Sequence, residues 1–118
     1  MRDVSILTDN NVDLNKALEL LGDLSFYDET LEAFLEENKT RVPNIEKYKN
    51  DQNMADYAIL VHALKSDAKY LGFMELADIA YEHELASKAN NVDEVNSKYD
   101  KLLQMINKYT ELAEKYLG

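Results

Sequence analysis

Residues 61–72 read VHALKSDAKYLG, and this stretch predicts a helix that displays one histidine on its surface. At about 100° per residue, the apolar side chains here and in the turn before share one arc, which we expect to be buried. That arc holds Tyr57, Leu60, Val61, Leu64, Ala68 and Leu71. Gly72 is the residue type that commonly ends a helix in a left-handed conformation. His62 lies on the far side of this helix, so its imidazole is expected to face solvent, as a nucleophile would.

The chain before this stretch predicts two further helical segments. Apolar residues at helical spacing indicate a short helix after Asp13 that ends at Gly22. Ser25 is placed to cap the next helix, whose apolar stripe continues past Pro43. Because proline lacks an amide hydrogen and clashes with the preceding turn, we expect a kink or a short break between about Lys39 and Pro43.

Capping residues and loops predict the remaining helices. Asn53 can cap the histidine helix, and another helix fits from about Met74 to Ala89. Asn91, with Glu94 three residues later, can cap the last helix. Short loops between long amphipathic helices place consecutive helices antiparallel. The predicted fold class is all-α, an up-down antiparallel four-helix bundle with a short additional N-terminal helix.

Composition restricts the classes of function. The 118 residues predict one domain over 1–118, in which residues 1–9 are expected to be a flexible tail. The absence of a membrane-length apolar run and of a leader peptide favours a cytoplasmic protein that does not bind membranes. With no cysteine, disulfides and cysteine nucleophiles are excluded, and the net charge of −10 disfavours nucleic acid as a partner. No metal site is expected, because di-iron bundles use two Glu-x-x-His pairs and this chain has none.

The side of the helix that carries His62 combines cations with apolar residues. Lys65 lies one turn on and Lys69 two turns on, where their ammonium groups can neutralise an anion carried by the ring. Ser66 is small and leaves room for a partner to reach the ring. Exposed apolar surface beside a reactive group predicts a docking site. The apolar residues on this side are Ala55, Ala58 and Ile59.

An acidic residue on the following helix is expected to face the histidine. If the helices on either side of Gly72 are antiparallel, residues whose numbers add to about 146 come level, which pairs His62 with Glu84. A carboxylate that accepts from one ring nitrogen fixes the tautomer and raises the basicity of the other nitrogen. The alternative is that Glu84 is an ordinary surface acid paired with Lys88. His83 competes for the active role, but it lacks the lysine spacing and is interpreted as a neighbour.

These residues resemble the signature of histidine-containing phosphotransfer (HPt) domains of two-component signalling, His-x-Leu-Lys-Gly followed by Leu-Gly. The matching residues here are HALKS at 62–66 and LG at 71–72, and the resemblance extends from about Asp13 to the last helix. It implies that His62 accepts a phosphoryl group that Lys65 stabilises. It also implies that Glu84 replaces the family's Gln or Glu that hydrogen-bonds the histidine. One departure is Ser66, which stands where the family has glycine.

The same resemblance implies a function and its partners. The chain would relay a phosphoryl group between aspartates of response-regulator receiver domains through His62, with Ser66, Lys69 and Gly72 aiding phosphoryl stabilisation or access. A sensor or hybrid histidine kinase would supply phosphoryl groups to the pathway. Mg²⁺ would be bound by the receiver domain, so the chain itself is expected to need no cofactor. Without a Gly-rich phosphate loop the chain is expected to be a phosphocarrier and not a kinase. It is also expected to be a monomer. Two alternatives stay open, namely the histidine-bearing domain of a chemotaxis-type kinase and a helical interaction module that accepts no phosphate.

Overall fold

Six α-helices account for most of the protein in this computed structural model, which describes residues 2–118. In chain order they are α1 (Ser5–Thr8), α2 (Leu14–Leu21), α3 (Leu24–Asn50), α4 (Met54–Leu71), α5 (Met74–Lys88) and α6 (Val92–Leu117). Within residues 2–118 no β-strand is formed, and a single antiparallel bridge joins Val12 to Phe73. The prediction of an all-α fold is confirmed.

The predicted caps of α4 and α6 agree with the structure, whereas the predicted cap of α3 does not. Asn53 and Asn91 each accept a backbone N–H three residues on, at the starts of α4 and α6. At the start of α3 the cap is Asp23, not Ser25, because Asp23 has extended backbone and accepts from the Phe26 N–H at 2.8 Å. Aspartate and serine cap equally well, so composition alone did not separate the two positions.

Of the two outcomes predicted between Lys39 and Pro43, the short break is wrong, since α3 continues through Pro43 as one helix, whereas the kink stays a prediction. Proline inside a helix costs about 3 kcal/mol because one backbone hydrogen bond is lost. Apolar side chains on both sides of Pro43, among them Phe34 and Ile45, are buried on one face of α3. We attribute the continuous helix to this packing, which outweighs the local cost.

The N-terminal segment is ordered into a helix over residues that were expected to form a tail. Leu7 in α1 is fully buried, so the tail prediction for residues 1–9 is wrong at this helix, whereas Met1 lies outside the described residues. Four helical residues are too few to show a periodic pattern, which explains why periodicity did not predict this helix.

The long helices pack in order along the chain, with α3 against α4, α4 against α5 and α5 against α6, while α6 also packs against α3. The buried arc of α4 agrees with the helix phase, except that Leu60 is only half-buried. Two residues, Gly72 and Phe73, join α4 to α5, and this short link folds the two helices into a hairpin. On the face of α4 opposite its buried arc, His62 is exposed to solvent.

Gly72 ends α4 as predicted, with left-handed backbone at φ 79°. A second reason for glycine is that a Cβ here would lie 2.5 Å from the backbone oxygen of Asp13. The Asp13 N–H also donates to the Gly72 carbonyl at 2.9 Å. The turn between α4 and α5 is therefore held against the segment that precedes α2.

Candidate functional site

The imidazole of His62 stands on the outer face of α4, with 56% of its side chain exposed. Its Nδ1 lies 2.8 Å from Oε2 of Glu84 on α5. The two residues are thus level across the hairpin, at the place where an antiparallel register puts them.

The carboxylate of Glu84 is buried, with 3% of its side chain exposed, and three donors converge on it. Lys65 donates to Oε1 at 2.6 Å, whereas Lys88 donates to Oε2 at 2.7 Å and shares that oxygen with His62. Burial alone would raise the pKa of Glu84, but the hydrogen bonds from Lys65, Lys88 and His62 together outweigh burial and lower this pKa to about 2. Glu84 is therefore ionised at neutral pH.

The charge of Glu84 fixes the tautomer of the neutral His62 ring. An ionised carboxylate can only accept hydrogen bonds, so Nδ1 of His62 must carry the hydrogen. The lone pair then belongs to Nε2, which is hydrogen-bonded by none of residues 2–118. The ring thus presents a basic nitrogen on an exposed side chain.

The lysines predicted near His62 differ in where they lie. Lys65 is mostly buried, ion-paired with Glu84, and placed over the ring of Tyr81 at 5.0 Å from its centroid. Lys69 is exposed and lies about 10 Å further along α4 than His62, so the structure does not bring it to the ring. Ser66 is half-buried one turn after His62.

Lys88 is a site residue that sequence reasoning gave only as the alternative partner of Glu84. The structure contains both contacts, because His62 and Lys88 donate to the same oxygen. The register that pairs His62 with Glu84 also places Lys88 level with Ala58, one turn from the histidine. The antiparallel register therefore predicts Lys88 as a second cation, besides Lys65, close to the ring.

A groove of about 600 Å³ opens beside His62 between α4 and α5. Ile59, 65% exposed, and Ala55, also exposed, border it as predicted from helix phase. Ala58 was expected to be exposed, but it is buried, with 7% of its surface exposed. The phase of one helix cannot show which of its side chains a neighbouring helix covers. The groove is lined by Met54, Ala55, Ala58, Ile59, His62, Ser87, Lys88 and Asn90.

Gly72 does not lie at the site, which corrects its expected role in phosphoryl stabilisation or access. It is buried at the end of α4, about 15 Å along the helix axis from His62. Its contacts are with the backbone of Asp13, so its effect on the site is through the hairpin turn.

The second histidine, His83, is buried and has a partner on each ring nitrogen. The Tyr57 hydroxyl lies 2.8 Å from Nδ1, and Nε2 lies 3.0 Å from the Lys98 carbonyl. Burial, as the largest cause, lowers the pKa of His83 and favours its neutral form. Because neither nitrogen is accessible, His83 cannot act as the nucleophile, in agreement with its interpretation as a neighbour.

The described chain shows neither a metal cluster nor a membrane span. Among residues 2–118 there is no group of three or more His, Asp or Glu side chains placed to hold a metal ion. None of the helices in that range is long and apolar enough to cross a membrane.

Comparison with known families decides the family of this chain. The family model described as Hpt domain matches residues 29–114, which is more than half of the chain. The chain belongs to the Hpt domain family. Hpt domains act in histidine phosphotransfer in two-component systems, as phosphocarriers without kinase activity. The matched part of this Hpt domain contains α4 and α5 entirely, and so contains His62 and Glu84. Neither the curated proteins nor the solved structures contain a match.

Proposed function

We propose that this Hpt domain relays a phosphoryl group between aspartates of receiver domains through Nε2 of His62. The observation that carries the proposal is the hydrogen bond from His62 Nδ1 to the ionised Glu84, on an exposed side chain whose other ring nitrogen keeps its lone pair. Burying the charge of a carboxylate is costly, so a buried carboxylate that binds a surface histidine favours a functional role for that histidine.

The reaction needs little acid-base chemistry from this chain. The lone pair of Nε2 attacks the phosphorus of an aspartyl phosphate, the bond from phosphorus to the aspartate oxygen breaks, and the aspartate leaves as a carboxylate. The ring keeps its hydrogen on Nδ1 and gains a positive charge, which the carboxylate of Glu84 stabilises. Return of the phosphoryl group to a second aspartate reverses these steps, and positioning with charge neutralisation supplies most of the catalysis.

Two lysines are placed to neutralise the transferred phosphoryl group. Lys65 is held by Glu84, so its positive charge is fixed at the carboxylate that also accepts from His62. Lys88 is mostly exposed on a flexible side chain, so it can exchange its bond to Glu84 for a phosphoryl oxygen. We assign the larger direct role to Lys88 and the smaller roles to Ser66 and Lys69.

The receiver domain is proposed to dock on the groove beside His62, against Ala55 and Ile59, with Ala58 as part of the groove floor. Mg²⁺ and the phosphorylated aspartate would be supplied by the receiver, and a sensor or hybrid histidine kinase would supply phosphoryl groups to the pathway. In this proposal the chain is a cytoplasmic monomer without a cofactor, and its four long helices form the up-down antiparallel bundle.

The test is to mix the chain with receiver domains phosphorylated on aspartate and to follow transfer. We expect one acid-labile phosphoryl group per chain in the wild type and none in His62→Gln, while His83→Gln keeps one. Failure of every receiver to label the chain would support an interaction module instead. Labelling from ATP by a kinase core, but never from a receiver, would support the chemotaxis-type alternative.

A further inference from the structure

We propose that His83 is a positioning residue, whose buried ring fixes the rotation of α5 and so holds Glu84 against His62. The inference rests on the proposed function of His62 only where the rate of phosphoryl transfer is measured. The effect on the His62 tautomer can be measured by NMR whether or not the protein transfers phosphate. It gives a role to a buried polar group that the phosphotransfer chemistry itself does not use.

The ring of His83 connects three helices at the level of the site. It lies on α5, its Nδ1 is bonded to Tyr57 on α4, and its Nε2 is bonded to the backbone of Lys98 on α6. Both Tyr57 and His83 are buried, so these bonds are shielded from competing water.

The direction of each bond follows from the chemistry of the partners. A backbone carbonyl only accepts, so Nε2 of His83 carries the hydrogen and donates to Lys98. Nδ1 of the neutral ring then accepts from the hydroxyl of Tyr57, whose pKa burial raises above its ordinary range. One orientation of the ring satisfies both bonds, and this orientation sets the rotation of α5 about its axis.

His83 can control the site because it directly precedes Glu84 in the sequence. Side-chain ends lie about 5–6 Å from a helix axis, so a roll of α5 by about 20° would move the Glu84 carboxylate by about 2 Å. A displacement of that size breaks the hydrogen bond to Nδ1 of His62. An apolar residue at position 83 would fill the same space but would oppose such a roll less, because apolar packing lacks the fixed donor and acceptor directions of the two hydrogen bonds.

The experiment compares two tyrosine variants that each lose one buried hydroxyl. Tyr57→Phe removes the donor to His83. The matched control is Tyr27→Phe, because Tyr27 is equally buried and its hydroxyl donates to the Leu71 carbonyl at 2.7 Å, away from His83 and Glu84. Both variants lose a hydrogen bond between α4 and another long helix, so they control for a general loss of stability.

Two measurements are made on each variant. The ¹⁵N shifts of the His62 ring report which nitrogen carries the hydrogen, and this experiment needs no phosphorylated partner. The rate of transfer at saturating receiver, compared with the dissociation constant of the receiver, separates a positioning effect from a binding effect.

For Tyr57→Phe we expect a smaller fraction of the Nδ1–H tautomer of His62 and a transfer rate lowered by roughly tenfold, at an unchanged dissociation constant. Tyr27→Phe should match the wild type in both. Equal His62 spectra in the two variants would overturn the inference. If the His62 spectrum of Tyr57→Phe changes as expected but the wild type accepts no phosphoryl group, the positioning role stands and the proposed function is wrong.

A second pair of variants covers the case in which Tyr57→Phe does not fold. His83→Gln retains an amide donor for the Lys98 carbonyl, whereas His83→Leu retains neither bond. The proposal requires the fraction of the Nδ1–H tautomer of His62 in His83→Gln to lie between the fractions in the wild type and in His83→Leu. If His83→Leu folds and shows the wild-type tautomer, the proposal is wrong.

Discussion

At the scale of single residues, the site depends on how Glu84 divides two oxygens among three donors. Oε1 serves Lys65, while Oε2 serves both His62 and Lys88. If Lys88 leaves, Oε2 still accepts from His62 and the ring keeps its tautomer. Lys88 is therefore the donor that can move to a phosphoryl group without disturbing the nucleophile.

The lysines are expected to differ in their effect on phosphotransfer. Lys88→Ala should slow transfer by about 10- to 100-fold, because a charge-assisted hydrogen bond to the phosphoryl group is lost. Lys69→Ala serves as the control, since Lys69 is equally cationic but about two turns away, and it should change the rate by less than about twofold. Rapid-quench measurement of phosphoryl transfer from a receiver gives both rates. Equal rates in the two variants would show that Lys88 is only a surface cation.

Acid should destabilise the protein through Glu84. Its pKa is lowered from 4.5 to about 2 by folding, so its contribution to stability is fully present above about pH 4.5 and is lost as pH falls to about 2. That contribution is of the order of 3 kcal/mol. Urea unfolding from pH 7 to pH 2 should therefore show a larger loss for the wild type than for Glu84→Gln, which cannot titrate. Parallel losses in both proteins would contradict the shifted pKa.

At the scale of helices, local patterns predicted the elements, whereas contacts between elements were only partly predictable. The phase of α4 placed His62 outside and Tyr57 inside, since periodicity is a property of one helix. Glu84 could be placed because a short hairpin fixes the register. The burial of Ala58 and the bonds of His83 depend on how α5 and α6 lie against α4, and a single-helix pattern does not contain that information.

The turn between α4 and α5 is expected to tolerate no side chain at Gly72. In Gly72→Ala the Cβ would lie 2.5 Å from the Asp13 carbonyl oxygen, in addition to the strain of a positive φ, so we expect a loss of about 2–4 kcal/mol. Gly22→Ala is the matched control, because Gly22 also has positive φ but has open space around a Cβ. It should lose only about 1 kcal/mol. Urea denaturation measures both values, and equal losses would show that the approach of Asp13 is unimportant.

At the scale of the whole molecule, the face around His62 differs in character from the rest of the protein. The chain has a net charge of −10, yet Lys65, Lys69 and Lys88 all lie on this side of the α4–α5 hairpin. Exposed Ile59 adds an apolar contact beside the groove. Lysines beside an apolar contact suit a partner whose active site is rich in carboxylates. A receiver domain that binds Mg²⁺ through aspartates would be such a partner.

A single charge in this face should prevent docking without unfolding the protein. Ile59→Glu is expected to weaken receiver binding by at least about tenfold, while the melting temperature stays within a few degrees of wild type, because Ile59 is exposed. Leu20→Glu, an exposed leucine on α2, should bind receivers like the wild type. Calorimetric titration and thermal melts would decide, and normal binding by Ile59→Glu would place the docking surface elsewhere.

The two-residue link of the hairpin limits which insertions and deletions this chain can accept. His62 and Glu84 are 22 residues apart, and each residue added to or removed from α4 or α5 between them turns one side chain by about 100° relative to the other. The count of residues between the two is therefore as much a part of the site as their identities. Length changes should be confined to the connections outside this interval, such as the loop between α5 and α6.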